Sequence, residues 1–407
     1  MTNLPQGWEW KSLGEICFIT DGTHKTPNYI ETGIPFLSVK NISKGFFDLS
    51  DVKYISLEEH NKLIKRAKPE FEDILICRIG TLGKAIKISL EFEFSIFVSL
   101  GLLKPKVKII SDYLVYFLNS YFIEGWINDN KVGGGTHTAK LNLNILEKCP
   151  IALPPLKEQE RIVGILDESF AKIDESIKIL EQDLLNLDEL MQSALQKAFN
   201  PLKDNAKENY KLPQGWEWKS LGEIGEIITG TTPSKNNPNF YGNEYPLFKP
   251  SDLNGDMIIK YASDNLSKLG FDNARNLPKD TILVVCIGAI GKVGLSGVNG
   301  SCNQQINAII PNSAFTSKYL FFVCLSNYFQ TILKKNASQT TLPIINKTEF
   351  SKLQIPLPPI KEQEQIAKHL DFVFEKTKAL KELYTKELKD YEELKQSLLN
   401  KAFKGEL

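Results

Sequence analysis

Residues Leu4-Pro-Gln-Gly-Trp-Glu-Trp-Lys-Ser-Leu-Gly-Glu-Ile16 recur letter for letter from Leu212 to Ile224. The offset is 208 residues (212 − 4), about half of a 407-residue chain. An identity of this length does not arise by chance, so the chain is a tandem duplication, and a long internal period outranks every local signal in deciding the fold. The same offset aligns Ile79-Gly-Thr-Leu-Gly-Lys84 with Ile287-Gly-Ala-Ile-Gly-Lys292. Ile151-Ala-Leu-Pro-Pro-Leu-Lys-Glu-Gln-Glu160 matches Ile355-Pro-Leu-Pro-Pro-Ile-Lys-Glu-Gln-Glu364 at offset 204 (355 − 151), and Lys197-Ala-Phe199 matches Lys401-Ala-Phe403. Between these anchors the halves diverge almost completely. A repeated frame with different middles suits one scaffold that presents two recognition surfaces.

Each half ends in a long helical pattern. Leu166, Phe170, Ile173, Ile177, Leu180, Leu184, Leu187 and Met191 are spaced alternately by 4 and 3, the heptad seam of a coiled coil. Pro154-Pro155 and Pro201 punctuate its ends. About 40 residues at 1.5 Å each make a rod of roughly 60 Å. The second copy, with Leu370, Val373, Leu380, Leu388, Leu394 and Leu398, has at least one irregular step. Two such helices pair most simply with each other, antiparallel if a pseudo-twofold relates the halves. The alternative is that each packs on its own globular domain.

The globular segments mix strands with aromatic helices, an α+β pattern. Strands are expected at 34–39, 74–79, 85–88 and 94–103, then at 246–248, 281–287, 292–295 and 305–310, rich in Ile, Val and Phe and bounded by Gly, Asn and Pro. Helices are expected at 111–128 and 316–335. The segments are therefore a domain over 1–155, a helix over 156–200, a linker over 201–211, a domain over 212–359 and a helix over 360–407.

Bulk properties exclude several classes. No apolar run approaches the roughly 18 residues of a membrane span, and the N-terminus lacks the basic and apolar regions of a signal peptide. Six cysteines without a CxxC pair argue against a disulfide framework or a zinc site and for a reducing cytoplasm. With four histidines in all, a His-centred metal site is not expected. The net charge is zero, but residues 201–354 carry 16 Lys+Arg against 12 Asp+Glu while residues 151–200 carry 5 against 10. A nucleic-acid binder so balanced needs local basic patches or a partner that supplies phosphate contacts.

Catalytic motifs are missing from the sequence. There is no HExxH, no GxSxG, no nuclease cluster and no Asn/Asp-Pro-Pro-Tyr/Phe methyltransferase tetrad. The Gly80 and Gly288 turns fail the phosphate-loop pattern because Lys84 and Lys292 are followed by Ala85 and Val293. They read as tight hairpins, or as turns that bring backbone and a lysine to a phosphate. Asp21-Gly-Thr-His-Lys-Thr-Pro27 and Thr229-Gly-Thr-Thr-Pro-Ser-Lys235 occupy matching places, as do Gly133-Gly-Gly-Thr-His-Thr-Ala139 and Ala337-Ser-Gln-Thr-Thr-Leu342. Such polar loops suit hydrogen bonds to phosphates or base edges, or are plain surface turns.

The Leu-Pro-x-Gly-Trp openings, the Asp-Gly-Thr-His-x-Thr-Pro loop, the Pro-Pro-x-Lys-Glu-Gln-Glu helix starts and the Gln-Ser-x-Leu-x-Lys-Ala-Phe exits together resemble the specificity (S) subunit of type I restriction–modification systems. The resemblance covers essentially the whole chain. It implies two target recognition domains with pseudo-twofold symmetry, separated by two long helices that form an antiparallel coiled coil. It also implies a non-catalytic role: each domain reads one half of a bipartite, gapped site in double-stranded DNA, with the coil as the ruler that sets the gap. The implied partners are two methyltransferase subunits, which carry S-adenosylmethionine, and two restriction subunits where a system has them. A second reading is the specificity chain of a related single-cut system, in which it partners a fused nuclease–methyltransferase. A two-domain adaptor with no DNA role is the contrasting reading. The matched loops nominate the DNA contacts: Thr23, His24, Lys25, Lys40, Asn41, Arg78, Lys84, Thr136, His137 and Thr138 in the first domain, and Thr231, Thr232, Ser234, Lys249, Ser251, Lys292, Gln339 and Thr340 in the second.

Overall fold

A computed structural model of the chain describes residues 4–134, 139–199, 212–338 and 342–407. The chain divides into two compact units, Met1–Leu180 with Lys386–Leu407, and Glu181–Thr385. The long helices Leu156–Phe199 and Ile360–Lys404 begin where the Pro-Pro punctuation places them, yet each contributes to both units.

The two globular repeats share a topology despite their divergent sequences. In the first, an antiparallel sheet runs in the order Cys17–Asp21, Leu100–Pro105, Ile74–Cys77, Ala85–Lys87. In the second, Ile227–Thr229, Ile306–Ile309, Ile282–Val285 and Val293–Ser296 repeat that order, and Ile258–Ile259 adds a fifth, parallel edge. Each repeat also has a three-stranded sheet and a two-stranded ribbon. The duplicated peptide forms one strand of the ribbon: Glu9–Ser12 pairs with Pro150–Leu153, and Glu217–Ser220 with Gln354–Leu357.

The expected strands are present, most with shorter bounds; 246–248 is the end of a longer strand, Tyr241–Phe248, 292–295 is shifted to Val293–Ser296, and 94–103 splits in two. Ser95–Ile96 pairs with the three-stranded sheet and Leu100–Pro105 with the larger one, because the chain changes sheet at residues 97–99. The aromatic helices split likewise, into Ser111–Leu118 and Tyr121–Asn130, and into Ser317–Leu325 and Asn327–Lys335. Ser120 and Ser326 cause the break. Their hydroxyls donate to Phe117 O (2.7 Å) and Val323 O (2.6 Å), and Ser326 Oγ also accepts from Phe329 N (3.3 Å), which starts a new helix there.

The Lys-Glu-Gln-Glu motif is explained by its glutamine. Gln159 is 1% exposed; its Oε1 accepts from Ile110 N (2.9 Å) and its Nε2 donates to Pro154 O (2.8 Å). Gln363 does the same between Thr316 N (2.9 Å) and Pro358 O (2.9 Å). Each long helix is thus locked at its start to the loop that precedes the aromatic helix. Replacing Gln159 by Ala leaves two buried backbone groups unpaired, at roughly 1–3 kcal/mol for each. A urea midpoint for Gln159→Ala indistinguishable from that of the parent chain would contradict this role.

The long helices pair with each other, and each also packs on its own domain at its start. Ile162 and Leu166 join the core of their own domain, and so do Ala367 and Leu370. The far ends do otherwise. Leu399 and Ala402 are buried in the core that holds Tyr113 and Phe117, while Leu195 and Phe199 are buried in the core that holds Tyr319 and Phe322. The helices run antiparallel inside each unit. In the first, Arg161 Nη1 donates to Leu407 O (3.1 Å) and Lys395 pairs with Asp174. In the second, Lys381 pairs with Asp188, and Leu195 and Phe199 share a core with Ala367 and Leu370.

The nominated seam of the first helix is buried or half-buried throughout, from Leu166 (0% exposed) to Met191. In the second helix Leu370, Val373, Leu388 and Leu398 face inward, but Leu380 and Leu394 do not; they are 37% and 44% exposed. Lys381 and Lys395 take their places. With them the inward positions 377, 381, 384, 388, 391, 395 and 398 alternate 4 and 3 without a break. The lysine stems lie in the seam while their ammonium groups reach Asp188 and Asp174. The irregularity in the sequence was a polar residue in an apolar register.

Candidate nucleic-acid interface

Strand Cys17–Asp21 ends in the polar loop of the first repeat, and what fixes that loop is a buried charge. Asp21 is 1% exposed. It accepts from Arg66 Nη2 and Arg78 Nη1, and His24 Nε2 lies 3.0 Å from its Oδ2. Burial by itself would raise this carboxyl, but the Arg66 hydrogen bond and the Arg78 charge outweigh it and hold the group below the ordinary carboxylate range. Thr23 N donates to Ile96 O (3.1 Å), and Thr23 Oγ1 donates to Lys25 O (3.1 Å). Above the loop, Thr23, His24, Lys25, Lys62, Leu63 and Arg66 line a cleft of about 430 Å³. It is cationic, and His24 and Arg66 are largely exposed.

The nominated residues of this repeat separate into two classes. Thr23, His24 and Lys25 come together in the cleft, and Lys40 is exposed nearby in sequence on the turn Val39–Asn41. Arg78 and Asn41 turn inward. Arg78 is 6% exposed and donates to Asp21, to Leu141 O (3.1 Å) and to Val98 O (3.1 Å). Asn41 is 4% exposed; its amide donates to Asp48 O (3.0 Å) and its Oδ1 accepts from Ser38 N (2.9 Å). In this structure both are scaffold residues, since their polar atoms are spent on the protein. Lys84 is half-buried beside the hairpin turn, where Gly80 and Gly83 have φ of 81° and 82°, a backbone that favours glycine. Thr136, His137 and Thr138 lie outside the described residues.

The second repeat builds its loop without the charge. At the position of Asp21 stands Thr229, whose Oγ1 donates to Asn307 Oδ1 (2.7 Å). Thr232 Oγ1 donates to Gln304 Oε1 (2.9 Å), and Thr231 Oγ1 accepts from Arg275 N (3.2 Å). Ser234 is exposed and its Oγ accepts from Asn236 N (3.4 Å). Lys249 pairs with Asp264, and Lys235 lies 3.9 Å from the same carboxylate. Lys292 Nζ donates to Pro250 O (3.0 Å), which brings it to the exposed Ser251. Gln339 and Thr340 lie outside the described residues. This loop has Thr231 and Thr232, with Arg275 and Lys235 beside them, whereas the first has His24 and Lys25. Sequence reasoning missed Asp21 as an anchor, and Lys62, Arg66, Arg275 and Gln304 as neighbours of the loops. A signal for the arginines was there: Arg66-Ala-Lys-Pro69 and Arg275-Asn-Leu-Pro278 repeat an Arg-x-x-Pro at offset 209 (275 − 66).

Among the described residues no group of three His, Cys, Asp or Glu side chains is placed to hold a metal ion, and no helix is long and apolar enough to cross a membrane. All six cysteines are buried thiols, and burial pushes Cys17, Cys77 and Cys149 up to about 12.

Two stretches of the chain, residues 5–184 and 213–390, match the family described as the type I restriction modification DNA specificity domain. The chain belongs to that family. The matches coincide with the two repeats, each carried into its long helix. Among relatives, the specificity subunit of the type I restriction enzyme StySPI from Salmonella potsdam is 27% identical over 432 aligned residues, covering 99% of this chain and 90% of that protein. The HindI specificity subunit from Haemophilus influenzae is 34% identical over 200 residues, 48% of this chain and 42% of its own length. A solved chain from a study of complex assembly and conformational transition in a type I R-M system has the same fold, with a TM-score of 0.80 at 22% identity over the full length of both chains. The α+β specificity-subunit fold, with two repeats and two long antiparallel helices, is thereby established.

Proposed function

We propose that this chain is the sequence-reading subunit of a type I restriction–modification complex. Each repeat reads one half of a bipartite, gapped DNA target, and the chain positions two adenine methyltransferase subunits, with restriction subunits where the system has them. The chain itself is non-catalytic and works in the cytoplasm; S-adenosylmethionine belongs to the methyltransferase. One observation carries the reading. The same strand ends in the same place in both repeats, but the loop that follows carries His24 and Lys25 beside a buried carboxylate in one, and Thr231 and Thr232 in the other, where Thr232 donates to Gln304 of a neighbouring turn. A conserved frame with exchanged loop chemistry is what two different half-sites demand, because base edges are distinguished by donor and acceptor pattern. Cationic groups at the loops suit phosphate oxygens and guanine, and the amides suit adenine.

The test is a map of adenine methylation in the host genome with the gene intact and deleted. Loss of one gapped motif is expected, and it gives both half-sites and the spacer directly. An unchanged methylation pattern would sink the proposal.

A further inference from the structure

Cations in this chain are almost all lysine. Its 407 residues include 49 Lys+Arg, of which only Arg66, Arg78, Arg161 and Arg275 are arginine. Two of these four occupy one equivalent place. Arg66 follows the short helix Leu57–Leu63, and Arg275 follows the short helix Lys268–Asn273. Arg66 Nε donates to Asp21 O (3.2 Å) and Arg275 Nη1 donates to Thr229 O (2.6 Å). Asp21 and Thr229 are the last residues of equivalent strands and are 208 residues apart (229 − 21). Each arginine has a second hold on its loop, Arg66 Nη2 on the Asp21 carboxylate and Arg275 N on Thr231 Oγ1 (3.2 Å). The residue after each clasped carbonyl is a glycine pressed against backbone. A Cβ on Gly22 would lie 2.0 Å from Ile96 O, and one on Gly230 would lie 2.2 Å from Cys302 O. Strand end, glycine and guanidinium therefore recur as a unit in two domains whose other loop residues have diverged.

A lysine would not do this job. A guanidinium offers five N–H donors in a fixed plane, so it can hold a carbonyl with one edge and keep another edge free. Arg66 spends two donors in the hydrogen bonds above and Arg275 one from its guanidinium. Both side chains remain exposed, Arg66 by 54%. The free edges lie beside the loops that carry Thr23, His24 and Lys25 in one repeat and Thr231 and Thr232 in the other. Planar, paired N–H groups match phosphate oxygens.

We propose that Arg66 and Arg275 are the positioning residues of the two recognition loops, and that each holds one DNA backbone phosphate of its own half-site with its free guanidinium edge. The inference rests on the DNA-reading function above and adds to it the residues that couple loop shape to backbone contact. Loss of the arginine removes a phosphate contact and frees the loop, so it weakens binding and blurs one half-site without touching the other.

The experiment uses the full chain with its cognate methyltransferase and duplexes carrying the mapped target, the target altered in one half, and unrelated sequence. Affinity is measured from about 50 to 200 mM salt for the parent, Arg66→Ala, Arg66→Lys, Arg275→Ala and Arg275→Lys, with melting curves to show that each folds. Each Arg→Ala variant is expected to bind about tenfold more weakly, with a salt slope smaller by about 0.9, the value of one phosphate contact. Each Arg→Lys variant should recover the slope yet still discriminate poorly at its own half-site, since lysine keeps the charge and loses the clasp. An unchanged slope in folded Arg→Ala variants would overturn the phosphate contact. Full half-site discrimination in the lysine variants would overturn the positioning role. A parent complex that bound no duplex would instead sink the DNA-reading function itself.

Discussion

Phe199→Ala destabilises the second unit by about 3–5 kcal/mol, the usual range for a phenylalanine removed from a packed core. The residue stands at the last turn of a 44-residue helix, where a surface role would be the ordinary expectation. It is instead 2% exposed, with its ring 5.6 Å from that of Tyr319 in an edge-on contact. Tyr319 is itself fully buried, and its hydroxyl donates to Pro356 O (2.6 Å) in the ribbon formed by the duplicated peptide. The first unit repeats the arrangement with Phe403, whose ring lies 5.7 Å from Tyr113 and 4.8 Å from Phe117. Tyr113 donates to Ala152 O (2.6 Å). Phe403 is only half-buried, so Phe403→Ala costs less than Phe199→Ala. For a unit of about 200 residues, 3–5 kcal/mol lowers Tm by roughly 10 °C. Calorimetry reads the shift, and hydrogen exchange should place the lost protection in 181–385 for Phe199→Ala. A change under about 0.5 kcal/mol, typical of a surface substitution, would show that the helix end contributes nothing to the core.

Asp21→Asn costs the first unit about 3–5 kcal/mol at neutral pH, because it strips the counter-charge from a buried guanidinium. Arg78 is 6% exposed and pairs with the Asp21 carboxylate, and the remaining contacts of that guanidinium are to backbone carbonyls. The pH dependence has a definite sign. Asp21 titrates below its unfolded value of about 3.9. Its contribution is therefore complete above roughly pH 4 and is lost as pH falls through the folded value. The parent should weaken steeply in that acid window, while Asp21→Asn, already deprived of the charge, weakens less steeply there. Urea midpoints between pH 2 and 7 test both statements. Parallel acid limbs for the two proteins would show that the carboxylate carries no folding energy. The same substitution leaves one acceptor oxygen for both Arg66 and Arg78, so the hold on Arg66 weakens as the domain loses stability.

The frame was legible because it is local and repeated. Thirteen identical residues, the Pro-Pro helix starts and the 4-and-3 spacing of Leu166 to Met191 need no knowledge of what lies across space. The strands were legible for a similar reason, since Ile74–Cys77 and Ile282–Val285 are continuous apolar runs buried on both faces. The loops after Asp21 and Thr229 do follow equivalent strand ends, as their matched places in the sequence suggest, but their side chains were not sorted. Arg78 and Asn41 look like DNA contacts in sequence, since both are polar and adjoin candidate loops. Their inward orientation depends on Asp21, Leu141, Val98 and Ser38, most of them far away along the chain. The seam of the second helix was misread at Leu380 and Leu394 because an apolar template prefers leucine, whereas an ion pair with the other helix places Lys381 and Lys395 inward.

The sequence alone determined that the protein is two copies of one unit, that each copy is a mixed domain leading into a long helix, and that the copies diverge between the shared anchors. Those properties follow from period, punctuation and composition, which act over a few residues at a time. Tertiary structure alone decided which helix end completes which core, as Phe199 does with Tyr319 and Phe403 with Tyr113, and which arginines are scaffold and which remain exposed at a loop. Burying a polar or aromatic group is favourable only when its partner is already in place. For Asp21, Arg66 and Arg275 that partner comes from another part of the fold.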